Sequence, residues 1–261
     1  MKMKRFLERF LVGIGLASLV FAGTVAAKDG APENDGWGLH CHGLPDEIQL
    51  RAYLVDAAAG RGVSRPLGPG ANAGGLFGGS RMWGAIVNRS GELCGFVTST
   101  TDPTQVWPGS QAIAKAKAYT ANAFSVDVLA LSTARLFTFV QPGHSLYGLN
   151  NSNPFDPMFL LQPAGMARIS GIAGGIITFG GGVPLYDASG KIMGGLGVSG
   201  DTACADHEVA KRTRDLAHLN PPGGPLVDDI VYTVADGASV FAHSLCPNTL
   251  RNGVFLGNEA P

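Results

Sequence analysis

The sequence predicts an α+β fold in which helices pack against an antiparallel sheet. The first observation is a pair of hairpin signals, at residues 81–98 and 183–198, each with two apolar runs joined by an Asn/Asp-x-Ser-Gly turn. The second is that both hairpins share one nine-residue pattern: apolar, Asn/Asp, any, Ser, Gly, charged, apolar, sulfur-containing, Gly. Turns of this composition join neighbouring antiparallel strands, and their glycine supplies a positive φ. We therefore expect a sheet built from at least two hairpins.

Helical spacing of apolar residues is the third observation. Four segments show it, namely residues 45–59, 110–124, 129–140 and 206–219. The alanine-rich segment 110–124 has small side chains that allow close approach to a sheet. Lys115 and Lys117 fall off its apolar face, so we expect them to be solvated. One more strand is predicted at residues 175–179.

Residues 1–27 are predicted to be a secretory signal peptide. Four basic residues surround and precede an apolar run at 10–23, and Val25-Ala26-Ala27 offers small side chains for cleavage before Lys28. The alternative is an N-terminal membrane anchor, which is disfavoured because the run is short for a bilayer and ends in a cleavage signal. We therefore expect a periplasmic or secreted protein. No later segment is long and apolar enough to predict a membrane span.

Composition divides the rest of the chain into three parts. Residues 28–44 are polar and are expected to form a mobile N-terminal segment, while residues 45–219 hold all the predicted elements and form one domain. Residues 220–261 begin with Asn-Pro-Pro-Gly-Gly and are expected to be a C-terminal appendage. Within the domain, residues 144–162 interleave aromatic residues with Asn and Pro, which indicates a long ordered loop of the kind that forms pocket walls.

Charge excludes one class of partner. The chain has 19 Lys and Arg against 20 Asp and Glu, and removing the signal peptide changes its net charge from −1 to −4, because four basic residues and one acidic residue leave. Nucleic-acid-binding proteins carry basic patches or stripes, and this chain has no basic run after its signal peptide. We expect no nucleic-acid partner.

Four cysteines in an exported chain favour two disulfides, with three possible connectivities. Cys41 and Cys246 flank the main body of the chain, whereas Cys94 and Cys204 lie inside it. On this order we predict the pairs Cys41–Cys246 and Cys94–Cys204.

The turn formed by Ser199, Gly200, Asp201 and Thr202 ends a predicted strand and caps the next helix. Such a junction leaves backbone N–H groups unpaired, which favours an anion or a cofactor. The preceding glycines complete a Gly-x-Gly-x-x-Gly pattern, but that dinucleotide fingerprint belongs to a βαβ unit and the hairpins disfavour a parallel sheet. Ser199 also lacks the Gly-x-Ser-x-Gly context of a hydrolase nucleophile. We expect an open turn that binds a ligand.

Several motifs together resemble a known family. They are, in order, Ala114-Lys-Ala-Lys-Ala118 with Thr120 and Ala121, Gly180-Gly-Gly-Val-Pro184, Gly194-Gly-Leu-Gly-Val-Ser-Gly200 and Asp206. This set resembles the GlcG/HbpS-like haem-binding family of haem-degrading domains, over residues 45–219. The resemblance implies a two-layer sandwich, with an antiparallel sheet of about five strands and helices packed on one face. It also implies homo-oligomers and haem as the cofactor.

The resemblance implies haem without assigning its ligand. His207, beside the glycine-rich turn, is the preferred candidate for the haem iron, and His144 is the second. The expected cofactor-lining residues are Ser199, Gly200, Asp201, Thr202, Gly181 and Gly182. A plain surface histidine is the alternative for His207.

Two functions remain open on the sequence. The first is a binding protein for haem or a related tetrapyrrole. The second is an accessory protein or enzyme that acts on a small organic acid bound at the glycine-rich turn. The sequence has no convincing pair of carboxylates and no nucleophile–base pair, so we expect binding rather than catalysis.

Overall fold

The computed structural model describes residues 40–63, 66–68, 70–153 and 172–260. The predicted signal peptide, most of the N-terminal segment and the second half of the 144–162 loop lie outside these residues. The described residues belong to one compact unit, Asn34–Pro261. Their elements, in chain order, are α1 (Glu47–Ala58), β1 (Trp83–Asn88), β2 (Leu93–Thr98), α2 (Ser110–Ala123), β3 (Gly182–Tyr186), β4 (Ile192–Ser199), α3 (Ala203–Leu216), α4 (Thr233–Asp236), β5 (Thr249–Arg251) and β6 (Val254–Gly257).

The main sheet is antiparallel with strand order β2-β1-β4-β3, and β5 and β6 form a separate two-stranded sheet. Both predicted hairpins are present, as β1–β2 and β3–β4. They join through β1 and β4, with Trp83 opposite Ser199 and Ala85 opposite Gly197. The predicted α+β class, with helices packed against an antiparallel sheet, is confirmed.

Helices lie on both faces of the main sheet, where the prediction placed them on one. Ala114 and Ala118 of α2 pack with Ala85 and Phe96 on one face. The apolar side chains of α1 and α3, such as Leu54 and Val209, pack with alternate strand residues on the other. Every residue of β1 and β2 is buried, as expected for a sheet covered on both sides.

The glycines of β4 let α2 approach the sheet closely. A Cβ on Gly197 would lie 2.0 Å from the Ala114 carbonyl oxygen, and one on Gly195 would lie 2.2 Å from that of Ala118. Gly200 has the same constraint, because its Cβ would lie 1.9 Å from the Arg81 carbonyl oxygen. The Gly-x-Gly-x-x-Gly pattern therefore serves backbone packing here.

Two predicted elements are wrong. Residues 129–140 form short 3₁₀ turns at Thr133–Leu136 and Thr138–Val140 in place of one helix. The Thr133 hydroxyl accepts from the Gly182 N–H at 2.9 Å, so tertiary contacts fix this segment. Residues 175–179 are not a strand, because the Thr120 hydroxyl on α2 takes the N–H of Ile177 at 3.0 Å.

The predicted disulfide pairing is also wrong, because the bonds are Cys41–Cys94 and Cys204–Cys246. Cys41 comes just before α1, whose side chains pack on β2, and this places it against Cys94 in that strand. Cys246 lies over the first turn of α3, where the Cys204 N–H points to its sulfur at 3.2 Å. The cysteine pairs are therefore set by which elements pack together, and not by the order of the cysteines along the chain.

Side chains close the open edge of β2. The Glu47 carboxylate accepts a hydrogen bond from the Phe96 N–H at 3.2 Å. The Arg51 guanidinium donates to the carbonyl oxygens of Thr98 at 2.7 Å and Thr100 at 3.0 Å. One turn of α1 thus supplies the acceptor and the donors that a further strand would supply.

The opposite edge, on β3, is closed in the same manner. Arg214 of α3 donates to the Pro184 carbonyl oxygen at 3.2 Å, and the Tyr186 N–H donates to the Leu219 carbonyl oxygen at 3.0 Å. Pro184 itself has no N–H to offer.

The residues after α3 pack against that helix and are bonded to it. Asp228 receives two hydrogen bonds from the Arg214 guanidinium, at 2.6 and 2.9 Å, and both side chains are fully buried. The Cys204–Cys246 bond adds a covalent attachment. No helix in the described part of the chain is long and apolar enough to cross a membrane.

Candidate functional site

The glycine-rich turn has the predicted anion-binding geometry, but the chain fills it with its own carboxylate. The N–H groups of Gly200 and Asp201 donate to Oδ1 of Asp206 at 3.0 and 2.9 Å. Asp206 is in the first turn of α3, which starts after the N-cap Thr202. The expectation of an open turn is therefore wrong for the described chain, because Asp206 of the following helix occupies the N–H groups of the turn.

Lys117 on α2 completes this centre. Its ammonium lies 2.7 Å from Oδ2 of Asp206 and 3.1 Å from the Val198 carbonyl oxygen, and it sits 4.9 Å from the centre of the Phe179 ring. Lys117 and Asp206 are both buried, and Lys115 is buried as well, so the prediction that both lysines are solvated is wrong. Burial raises the pKa of Asp206 to about 6, against the attraction of the lysine.

Asp201 is turned away from solvent as well. Its carboxylate accepts hydrogen bonds from the N–H groups of Leu76 at 2.6 Å, Phe77 at 2.8 Å and Gly79 at 3.1 Å. The side chain is buried and holds a loop against the start of α3. Asp201 thus has a structural role, because its carboxylate oxygens already accept hydrogen bonds from this loop.

The remaining predicted cofactor-lining residues lie at the ends of strands and at the cap of α3. Ser199 is the last residue of β4, opposite Trp83, and is buried. The Thr202 hydroxyl accepts from the Ala205 N–H at 3.3 Å as the helix cap. Gly181 and Gly182 are buried, and a Cβ on either would meet backbone or side-chain atoms at 2.4 Å. All but Thr202 of these residues are therefore buried in the described chain, and their role in binding a cofactor stays a prediction.

His207 is fully buried on α3. Its Nε2 lies 3.4 Å from Oδ1 of Asp229, and its Nδ1 has no hydrogen-bond partner. Burial lowers the pKa of the imidazole despite that carboxylate. Asp229, in the segment after α3, lies against this side chain. The ring is therefore inaccessible to a haem bound at the surface of the described chain.

A second buried ion network surrounds His207. Lys211 lies 2.6 Å from Asp229 and 2.7 Å from Glu208, and all three side chains are buried. The attraction of the two acids raises the pKa of Lys211 against the opposing effect of burial. This network joins α3 to the segment that follows it.

His144, the second candidate ligand, is exposed. It precedes a short 3₁₀ turn at Leu149–Asn151, in which Oδ1 of Asn150 accepts a hydrogen bond from the Thr178 hydroxyl at 3.2 Å. This turn forms one wall of a cavity of about 210 Å³ on the outer face of α2. The other walls are apolar, and the lining residues are Ala112, Ile113, Ala116, Asn150, Asn153, Gly175, Ile176 and Ile177.

A larger groove of about 530 Å³ lies beside α1 at the β2 edge. Ile48, Ala52, Val55 and Val97 give it an apolar wall, and Arg51 lies within it. Sequence reasoning missed both surfaces, because each is assembled from segments far apart in the chain. The sequence analysis also missed the Lys117–Asp206 pair. Asp206, four residues after the helix cap Thr202, was the available sign that an acid could reach the N–H groups of the turn.

The fold and these features define a class: an α+β domain whose antiparallel sheet carries helices on both faces and a charge-filled glycine turn. The family described as "Haem degrading protein HbpS-like" matches residues 73–215, more than half of the chain. The chain therefore belongs to the HbpS-like family, which confirms the resemblance predicted from the sequence.

Three solved structures are similar. A Klebsiella pneumoniae protein, ORFY, of family DUF336 is 24% identical, with 66% of this chain and 86% of that chain covered and a TM-score of 0.43. The PduOC:Heme Complex is 25% identical, with 65% and 89% covered and a TM-score of 0.42. HbpS is 18% identical, with 65% and 85% covered and a TM-score of 0.37. No curated protein matches the chain.

Proposed function

We propose that this chain binds haem or a closely related tetrapyrrole. The observation that carries the proposal is family membership over residues 73–215, a span that contains the whole main sheet, α2 and all but the last residue of α3. The family is described by haem degradation, and binding is the step that any such activity requires. The alternative, a small organic acid at the glycine-rich turn, is not retained because Asp206 already occupies the N–H groups there.

We place the ligand at the cavity on the outer face of α2. Ile113, Ala116 and Ile176 offer an apolar wall, and Asn150 and Asn153 offer two amides. Mostly apolar walls with a few polar groups are typical of small-molecule sites. The cavity also lies inside the family-matched span.

The volume of this cavity limits how much of a tetrapyrrole it can enclose. Sites that enclose a small molecule measure about 300–1,000 Å³, and this cavity has about 210 Å³. Ile113, Ala116 and Ile176 would hold only part of a tetrapyrrole, and the rest of it would lie outside the cavity. His144 is the accessible candidate for the iron, since it is exposed on the loop that leads to Asn150.

Haemin titration of the chain starting at Lys28 tests the proposal, read by absorbance in the Soret region. We expect a saturable shift, lost on Ile113→Glu because a carboxylate would replace part of the apolar wall. Ile48→Glu is the matched control, since Ile48 is exposed in the α1 groove. Absence of a saturable shift with the unaltered chain would refute haem binding, and loss on Ile48→Glu alone would move the site to that groove.

Histidine variants identify the iron ligand separately. His144→Ala should change the position of the Soret band, whereas His42→Ala, another exposed histidine, should leave it unchanged. His207→Ala should lower stability and leave the band in place, because the ring is sealed from solvent. A band that depends on His207 would show that the segment after α3 moves away on binding.

Export and self-association belong to the same proposal. Basic residues followed by a short apolar run support a cleaved signal peptide. N-terminal sequencing of the exported protein should give Lys28 as the first residue. Light scattering during size-exclusion chromatography should show a homo-oligomer, and a purely monomeric protein would contradict this part.

A further inference from the structure

Three soft or borderline metal ligands meet where the C-terminal segment covers α3. The sulfur atoms of Cys204 and Cys246 and a ring nitrogen of His243 lie within 4.8 Å of one another, and all three residues are buried. The two sulfurs are joined as a disulfide. We propose that reduction of this bond creates a Cys₂His site for a zinc-like divalent cation. This inference is independent of the proposed tetrapyrrole site.

The spacing suits a metal of this class. Zinc bonds to thiolate sulfur at about 2.3 Å and to imidazole nitrogen at about 2.0 Å in tetrahedral geometry, so its ligand atoms lie roughly 3.5–3.8 Å apart. The donor atoms here lie within 4.8 Å of one another, and the two sulfurs would separate to that range once their bond is reduced. Three protein donors leave the fourth position to an external ligand, as in other three-ligand zinc sites.

The backbone around the sulfurs favours thiolates. Cys204 is the second residue of α3, and a helix N-terminus lowers the pKa of a cysteine. Its N–H points to the sulfur of Cys246 at 3.2 Å. This N–H would donate to the negative charge of a Cys246 thiolate after reduction.

His243 is held in a form that can bind a metal. Its Nδ1 lies 2.7 Å from the Ser244 carbonyl oxygen, which orients the ring, and its Nε2 accepts from the Gly180 N–H at 3.3 Å, so a metal at Nε2 would replace this long hydrogen bond. Backbone partners of this kind commonly fix the tautomer of metal-binding histidines.

The chemistry balances with a dithiol as reductant. The dithiol transfers two electrons and two protons to the Cys204–Cys246 bond, which yields two cysteine thiols and a disulfide in the reductant. Binding of one divalent cation then forms two metal–sulfur bonds and releases the two thiol protons.

Cobalt(II) is the probe, because its bonds to thiolate give charge-transfer absorption in the near ultraviolet. The full chain, reduced with dithiothreitol and transferred to anaerobic buffer without it, should bind one equivalent. The oxidised chain should bind none. His243→Ala should weaken binding in the reduced chain at least tenfold, whereas Cys94→Ser, which breaks the other disulfide, should leave affinity unchanged.

Circular dichroism checks that each variant folds, and alkylation of the thiols checks that reduction is complete. If Cys94→Ser does not fold, His218→Ala, which changes an exposed histidine, replaces it as the control. Equal binding by His243→Ala, equal binding by the oxidised chain, no cobalt bound by the reduced chain, or a Cys204–Cys246 bond that dithiothreitol does not open would each overturn the proposal.

Discussion

The ammonium group of Lys117 lies 2.7 Å from the carboxylate of Asp206, and both side chains are buried. The pair joins α2, on one face of the sheet, to the first turn of α3, on the other. The same carboxylate accepts two backbone N–H groups of the turn after β4. One ion pair thus sets the geometry of the glycine-rich turn.

Removing one partner of this pair should be costly. We expect Lys117→Met to lower the free energy of unfolding by about 3–5 kcal/mol, because Asp206 would stay buried without its cation. The double variant Lys117→Met, Asp206→Asn should lose less than the sum of the single changes. Urea unfolding measures these differences, with exposed Lys191→Met as the control; equal stability of Lys117→Met and Lys191→Met would show that the pair contributes nothing.

Gly197 should not tolerate a methyl group. Gly197→Ala would put Cβ 2.0 Å from the Ala114 carbonyl oxygen, so α2 would have to move away from the sheet. We expect a loss of about 3 kcal/mol or more. Gly109→Ala is the matched change, because a Cβ there meets nothing within 4 Å. Thermal unfolding compares the two, and similar melting temperatures would mean that α2 is not packed on β4 as described.

Acid should destabilise the chain through its buried histidines. Burial lowers the pKa of His243 from 6.5 to about 4 and lowers that of His207 as well. Between pH 6.5 and 4 these two rings therefore bind more protons in the unfolded chain, and their contribution to stability falls as pH falls, whereas the raised pKa of Asp206 acts in the opposite direction. From pH 7.5 to pH 5, His243 alone should account for about 2 kcal/mol.

Urea unfolding of the chain and of His243→Gln at both pH values measures that contribution. The variant should lose about 2 kcal/mol less than the unaltered chain over the same interval. The same drop in both would assign the pH dependence to other groups.

Peptide mapping without reduction should recover Cys41 linked to Cys94 and Cys204 linked to Cys246. Each bond closes a loop of comparable length, with sequence separations of 53 and 42 residues. Chain entropy predicts a loss of about 4 kcal/mol when either is removed. A peptide that links Cys41 to Cys246 would restore the pairing predicted from the sequence.

Local patterns predicted the hairpins and the helices that carry continuous apolar faces. Residues 45–59 and 110–124 gave α1 and α2 to within two residues, because spacing and capping residues such as Asp46 act over a few positions. The 3₁₀ turns at 133–140 were missed because Thr133 is fixed by Gly182, which is distant in the chain.

The site was predicted less well, since burial depends on the whole fold. Lys117 becomes buried only because Asp206, 89 residues later, faces it. His207 becomes inaccessible only because Asp229 and its neighbours fold back over α3. The N–H groups of the turn before α3 do bind an anion, but that anion is the carboxylate of Asp206 in the same chain.

Closure of both sheet edges limits how copies of this chain can assemble. Glu47 and Arg51 occupy one border, and Arg214 with the Leu219 carbonyl occupies the other. A second molecule thus finds side chains and a backbone carbonyl bonded to both borders of the main sheet in the described part of the chain. Assembly by adding strands to these two borders is therefore disfavoured.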